Sequence, residues 1–228
     1  MKLYYEINGE GYPIFLLHGN GENHHIYDEL AKVLSKSYQC ISVDSRYHGK
    51  SEKTGELTYE AMVNDIQELA SDLNVKEYDV IGFSDGGIVA LMLSLVDERL
   101  KHMITIGANT HVKALKPIIL YTMYIERIFL MFFSIYHPKA RLKLKHLNLM
   151  LKQKIISYDS LKDVRIPSLI LCGENDMIKL SDSEMIAESL PYGVLKVIPN
   201  GTHFLLSDAF KSTSKEIIMF LNACHKVD

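Results

Sequence analysis

Three side chains of this chain are of the types that together perform acyl transfer: Ser84, Asp176 and His203. A serine hydroxyl is a weak nucleophile at neutral pH. It needs a neutral imidazole to take its proton and a carboxylate to hold that imidazole in the right tautomer. Ser84 sits in Asp79-Val80-Ile81-Gly82-Phe83-Ser84-Asp85-Gly86-Gly87-Ile88-Val89-Ala90, where a short apolar run meets a serine bracketed by glycines and then continues with helical character. That reads as a strand, a very sharp turn and a helix. A strand reversing into a helix through one residue packs its backbone too tightly for a Cβ at Gly82 or Gly86. The turn lifts Ser84 out and sets it at a helix start, where unpaired N–H groups favour a developing oxyanion.

Gly-x-Ser-x-Gly alone is not specific, since roughly 8% of chains this long carry one by chance. What gives it weight is the set of elements around it. Lys2–Asn8 alternates like a strand, and Ile14–Leu17 is an apolar strand ending in His18-Gly19-Asn20-Gly21. A helix over Tyr27–Leu34 precedes a strand at Cys40–Val43, and Thr58 caps a helix running to about Leu73. After the serine turn, Met103–Ile106 is a strand that stops at Gly107. Later strands at Ser168–Cys172 and Val194–Ile198 end in Gly173-Glu174-Asn175-Asp176 and Pro199-Asn200-Gly201-Thr202-His203, with helices at Ser183–Leu190 and about Asp208–Ala223. The alternation predicts an α/β fold, a mainly parallel sheet with helices on both faces. Ser84, Asp176 and His203 each follow a strand, so they can meet at its carboxyl edge. Glu174 competes with Asp176 for the acid's place and is expected on the surface.

The alternation breaks over residues 111–160. Pro117–Tyr136 is strongly apolar, and Lys139–Lys154 is basic with Leu144, Leu147 and Leu151 at helical spacing. Glu126 and Arg127 in the middle of the apolar part argue against a membrane span and for helices packed over the rest of the protein. Stable membrane insertion is therefore not expected.

The 228 residues suffice for one sizeable core, and 47% hydrophobic with 23% charged is ordinary globular composition. A net charge of −3 leaves no electrostatic footprint for nucleic acid. Cys40, Cys172 and Cys224 are odd in number and far apart, so they read as reduced thiols; with an N-terminus lacking an apolar signal core, they suggest a cytoplasmic protein. Gly49-Lys50-Ser51 lacks the earlier glycine of a phosphate loop, and Gly19-Asn20-Gly21 has His24 where a dinucleotide fingerprint needs its third glycine. The histidines match no metal-ligand spacing, so neither metal nor organic cofactor is expected. His18 is expected to be structural, bonding loop backbone, and Asp44 and Arg46 to organise the loop below the site.

The pieces Leu17-His18-Gly19-Asn20-Gly21, Asp44-Ser45-Arg46, Gly82-Phe83-Ser84-Asp85-Gly86-Gly87, Gly173-Glu174-Asn175-Asp176 and Gly201-Thr202-His203 resemble the α/β-hydrolase superfamily along nearly the whole chain. Among its branches the motifs are most similar to the biphenyl hydrolase-like (valacyclovir hydrolase-like) serine hydrolases. The resemblance implies Ser84 as nucleophile, His203 as base, Asp176 as orienter, and an oxyanion hole from the Asn20 and Asp85 backbone N–H groups. It implies a core of residues 1–110 and 161–228 with a helical cap of 111–160. It also makes Asp85 a candidate to receive the amino group of an aminoacyl ester, the other reading being a helix N-terminal carboxylate. The expected activity is hydrolysis of small to medium lipophilic esters by a monomer or homodimer. Tyr121, Tyr124, Phe129 and Phe132 of the apolar stretch are candidate substrate contacts. Thioester, amide or C–C cleavage, acyl transfer, a triad-bearing receptor and a membrane-surface lipase are the alternatives.

Overall fold

The computed structural model describes residues 1–152 and 156–225, so Lys154 at the end of the basic stretch lies outside the described residues. Strands β1 (Tyr4–Asn8), β2 (Tyr12–Leu17) and β3 (Tyr38–Asp44) are joined by a 3-10 turn at His24–Tyr27 and helix α1 (Asp28–Leu34). There follow α2 (Tyr59–Asp72), β4 (Tyr78–Phe83), α3 (Asp85–Leu93) and β5 (Leu100–Ile106). Helices α4 (Pro117–Phe133), α5 (Pro138–Leu151) and α6 (Tyr158–Leu161) come before β6 (Ser168–Gly173), α7 (Leu180–Ser189) and β7 (Gly193–Ile198). The short α8 (Leu205–Asp208) and the long α9 (Phe210–His225) close the described chain.

Among the described residues seven strands form one sheet in the order β1-β3-β2-β4-β5-β6-β7, with only the β1–β3 strand pair antiparallel. Central strands are covered on both faces, and β4 (Tyr-Asp-Val-Ile-Gly-Phe) is buried throughout, its one charged residue, Asp79, being paired with His102 and His225. Two apolar clusters lie on the two faces. One joins Phe15, Val43, Val80 and Ile170 to α2, α3 and α7; the other joins Ile14, Ile81, Ile104 and Leu171 to α1 and α9. Local chemistry sets the helix starts. The Thr58 hydroxyl accepts from the Ala61 N–H at 3.1 Å, the cap expected for α2.

Loops at the carboxyl edge are held by buried polar bonds. Arg46 grips the Asp65 carboxylate through two nitrogens, both at 2.7 Å, and donates to the Glu56 and Ala61 carbonyls, tying the loop after β3 to α2. Asp44 accepts from the backbone N–H groups of His24 and Lys50, as its expected organising part requires. The 111–152 stretch is two antiparallel helices. Glu126 and Arg127 face α5, pairing with Lys143 (2.6 Å) and Asn148 (2.9 Å). The segment entering α4 is pinned to the loop after β6 by Lys116 N–H to the Met177 carbonyl and Lys179 N–H to the Ala114 carbonyl.

Two positions around the turn between β4 and α3 tolerate only glycine. A Cβ on Gly86 would lie 2.0 Å from the Leu17 carbonyl oxygen, and one on Gly82 2.2 Å from the Gly86 carbonyl oxygen. Gly21, with φ +75, has nothing within 4 Å of such an atom. Urea unfolding should therefore separate the two cases. Gly86→Ala loses at least about 3 kcal/mol or fails to fold, and Gly21→Ala loses about 1 kcal/mol from backbone strain alone. Equal losses would mean that the β2–α3 approach is looser than described.

Candidate active site

Ser84 has φ 51 and ψ −115, a conformation that L-residues avoid. The strain is held by packing: its N–H donates to the Ile106 carbonyl at 2.8 Å, and α3 begins at once behind it. The hydroxyl stands at the carboxyl edge of β4. From the ends of β6 and β7 come Asp176 and His203, separated from Ser84 by some 90 and 119 residues of chain and brought against it by the parallel register.

The three side chains form one hydrogen-bonded chain. His203 Nε2 lies 3.0 Å from Ser84 Oγ, and His203 Nδ1 lies 2.8 Å from Asp176 Oδ1. With the proton on Nδ1 donated to the carboxylate, Nε2 presents its lone pair to the hydroxyl. Asp176 is only 2% exposed, and the same Oδ1 accepts the Ile178 N–H at 2.9 Å, which fixes its orientation. Gly107, φ +61 at the end of β5, leaves the room the pair needs, because a Cβ there would sit 2.8 Å from the imidazole. Phe83 and Phe204 flank the ring at centroid distances of 5.1 and 5.6 Å. Such a constellation can deprotonate an alcohol and stabilise the resulting imidazolium.

A cavity of about 260 Å³ opens over Ser84. Its walls are Asn20, Glu22, Tyr59 and Asp85 on the polar side, and Leu115, Ile119, Met123, Met150 and Met177 on the apolar side. A larger groove of about 580 Å³ lies between residues 55–60 and α5, without Ser84 or His203 in its walls.

Asp85 is buried, and each of its oxygens is already held: Tyr59 OH donates to Oδ1 (2.9 Å) and Asn20 Nδ2 to Oδ2 (2.8 Å). Burial pushes its carboxyl up to about 6, against the pull of those two bonds and of the His203 charge. The Asn20 amide also donates to the His146 carbonyl at 3.1 Å, so one side chain links the loop after β2, the start of α3 and the helix α5. Glu22, two residues beyond Asn20, belongs to no motif in the sequence. It accepts the Gly19 N–H at 3.0 Å, and burial raises its pKa. Tyr59 and the three methionines carry no motif and could be found only from the fold.

The four candidate contacts on the apolar stretch are elsewhere. Tyr121, Tyr124, Phe129 and Phe132 are 47–70% exposed, on the side of α4 turned away from the cavity. The inward positions are Leu115, Ile119 and Met123, spaced by four. A helix apolar on all sides gives no periodicity from which to choose its buried face. His18 behaves as a structural residue: Nε2 accepts the Ser45 N–H at 3.0 Å, Nδ1 donates to the Gly19 carbonyl, and burial lowers its pKa to about 4. Glu174 is exposed, bonding the Asn200 N–H.

At the other end of the sheet, about 16 Å along β4 from Ser84, Asp79 bridges His102 (2.8 Å) and His225 (2.7 Å). Among the described residues this is the group whose ligand atoms, all within 4.8 Å of one another, could close on a metal ion. Sequence spacing could not reveal it, because its members stand on two strands and the last helix.

The chain belongs to the alpha/beta hydrolase fold family, whose pattern matches residues 12–131. A pimeloyl-(acyl-carrier protein) methyl ester esterase of Aliivibrio fischeri (strain MJ11) is 29% identical over 126 residues, 52% of this chain and 48% of that protein. A cis-3-alkyl-4-alkyloxetan-2-one decarboxylase of Shewanella oneidensis is 29% identical over 124 residues, 51% of this chain and 39% of that protein. The chain thus spans about half, or less, of the length of these curated relatives. An esterase from Thermogutta terrifontis superposes with a TM-score of 0.80 at 21% identity, covering 98% of this chain and 94% of that one. An enol-lactonase from Burkholderia xenovorans LB400 does so with 0.77 at 16% identity, covering 96% of each. At such identities the likeness establishes the fold.

The raised pKa of Asp85 has a definite sign. Its folded value of about 6 lies above the roughly 3.9 of an unfolded chain, so the fold favours the protonated form and loses stability as pH rises from 4 to 6. Asp85→Asn does not ionise. Its stability relative to the parent should climb by roughly 1–3 kcal/mol across that window in urea titrations and then level off. A difference that stays constant from pH 4 to pH 7 would contradict this burial.

Proposed function

We propose that the protein is a serine hydrolase that cleaves carboxylic esters through an acyl-enzyme. The observation that carries this reading is the pair of distances at His203, 3.0 Å to the Ser84 hydroxyl and 2.8 Å to the Asp176 carboxylate. His203 takes the Ser84 proton as Oγ attacks the ester carbonyl. The tetrahedral oxyanion is held by the backbone N–H groups of Asn20 and Asp85, the latter the first residue of α3, where helix geometry supplies no acceptor. Each donor is worth about 3 kcal/mol to the barrier. Collapse expels the alcohol, which receives the proton from His203. Water then repeats the sequence against the acyl-enzyme, releasing the acid and restoring the serine.

In this reading residues 111–160 are a cap over a core of 1–110 and 161–228. The apolar wall of Leu115, Ile119, Met123 and Met150 accepts the acyl or aromatic group, and a cavity of about 260 Å³ favours a small to medium one. The ester bond itself is supported by the esterase among the relatives. Asp85 and Glu22 place two carboxyl groups beside this wall, so a cationic substituent on the substrate is the variant to compare with neutral esters.

The test is turnover of p-nitrophenyl esters. Ser84→Ala should lower kcat on the order of a millionfold, and Asp176→Asn on the order of ten-thousandfold with KM little changed, because it spoils only the tautomer of His203. Retained turnover in Ser84→Ala would overturn the proposal. Aminoacyl esters cleaved no faster than matched neutral ones, or a preference unchanged in Asp85→Asn, would remove Asp85 from substrate recognition.

A further inference from the structure

Helix α4 has two apolar faces. One carries Ile119 and Met123 into the cavity over Ser84; the other carries Ile118, Tyr121, Tyr124, Ile128, Phe129 and Phe132, each 47–70% exposed. The turn that follows adds Ile135 and Tyr136 at 63% and 81% exposure. Contiguous apolar surface of this extent marks a place of association. Lysines flank it in sequence and structure, with Lys113 and Lys116 exposed before α4, Lys139 exposed at the start of α5 and Lys143 paired with Glu126 of α4, whereas Arg141 and Lys145 turn toward residues 55–60, Lys145 over the Tyr47 ring. Residues 111–160 hold nine Lys and Arg against two Asp and Glu, while the whole chain holds 25 against 28. The remaining residues therefore hold sixteen against 26, so a segment of net charge +7 rides on a body of −10.

We propose that the outer face of α4 and the turn after it dock reversibly on an anionic phospholipid bilayer. The aromatic and aliphatic side chains enter the boundary between headgroups and acyl chains, and the flanking lysines meet the lipid phosphates. Charge decides between this surface and a second copy of the chain. Pairing the face with itself would bring two +7 segments together, whereas an anionic surface complements them. The side chains of the face are 47–81% exposed, which suits a fluid phase that conforms to them. The segment lies on the bilayer rather than crossing it: α4 has only 17 residues, Glu126 and Arg127 are held by Lys143 and Asn148, and no helix among the described residues is long and apolar enough to span. On the hydrolase reading above, the substrate would then be an ester drawn from the lipid phase along α4 into the cavity; the docking itself does not rest on that reading.

The chain contains no tryptophan, so Ile128→Trp places a single fluorophore at the centre of the face. Mixed with phosphatidylcholine vesicles containing phosphatidylglycerol, its emission should move to shorter wavelength and be quenched by brominated acyl chains. Both effects should weaken in high salt and on phosphatidylcholine alone. Ile128→Glu with Tyr136→Glu should reduce co-sedimentation with the anionic vesicles by about tenfold or more while leaving turnover of a water-soluble ester unchanged. Ser84→Ala should sediment like the parent, which separates failure of the docking from failure of the hydrolase proposal. No partition onto anionic vesicles at low salt would overturn the inference. So would equal, salt-insensitive binding to neutral ones, or a homodimer in sedimentation velocity that the double glutamate variant dissociates.

Discussion

The close approach of α3 to the end of β2 is the constraint on which the rest of the site depends. Because Gly86 has no side chain, the first turn of α3 lies directly against the Leu17 carbonyl. The first N–H groups of that helix therefore stand beside the loop carrying Asn20, and Ser84 is forced into φ 51 between strand and helix. A conformation of that kind costs about 1–3 kcal/mol and survives only where surrounding structure over-determines it. Here the two apolar clusters on the faces of the sheet and the bond from Ser84 N–H to Ile106 do so. The outcome is a hydroxyl held where an imidazole from the loop after β7, three strands along the sheet, reaches it without rearrangement.

Polar bonds extend that arrangement outward. Asn20 touches Asp85 and the backbone of α5 with one amide, so the position of the helical pair α4–α5 and that of the loop after β2 are not independent. His146 strengthens the link from its side-chain end, stacking on His48 at 4.1 Å between centroids and contacting the Tyr47 carbonyl through Nε2. Displacing α5 would thus be felt at Asn20 and Asp85 on the polar wall of the cavity. The polar and apolar walls of the cavity meet across this joint.

Much of the architecture could be read from residues alone, for physical reasons. Buried parallel strands need unbroken apolar runs, so Ile14–Leu17, Val80–Ile81 and Leu169–Leu171 announced themselves; capping and turn chemistry at Thr58, Gly82 and Gly107 marked the punctuation. The serine, acid and imidazole were legible because each follows such a run. Helix bounds shifted by a few residues, as at α7, which begins at Leu180 rather than Ser183. The wall of the cavity was not legible. Tyr121, Tyr124, Phe129 and Phe132 are as apolar as Leu115, Ile119 and Met123, and only packing against Met177, Ile178 and α5 tells the two faces apart. Glu22 and Tyr59 escaped for another reason: their chemistry depends on neighbours brought by the fold, not on a spacing in the chain. The same holds for Asp79, His102 and His225.

The proposed hydrolase needs one nucleophile, Ser84, activated by one imidazole, His203. Intact-protein mass spectrometry after exposure to a fluorophosphonate, with peptide mapping of the adduct, tests this most directly. A single adduct on Ser84 in the folded protein, absent after unfolding in urea and absent in His203→Ala, is the predicted result. No adduct on the folded protein, or one on a different residue, would contradict it.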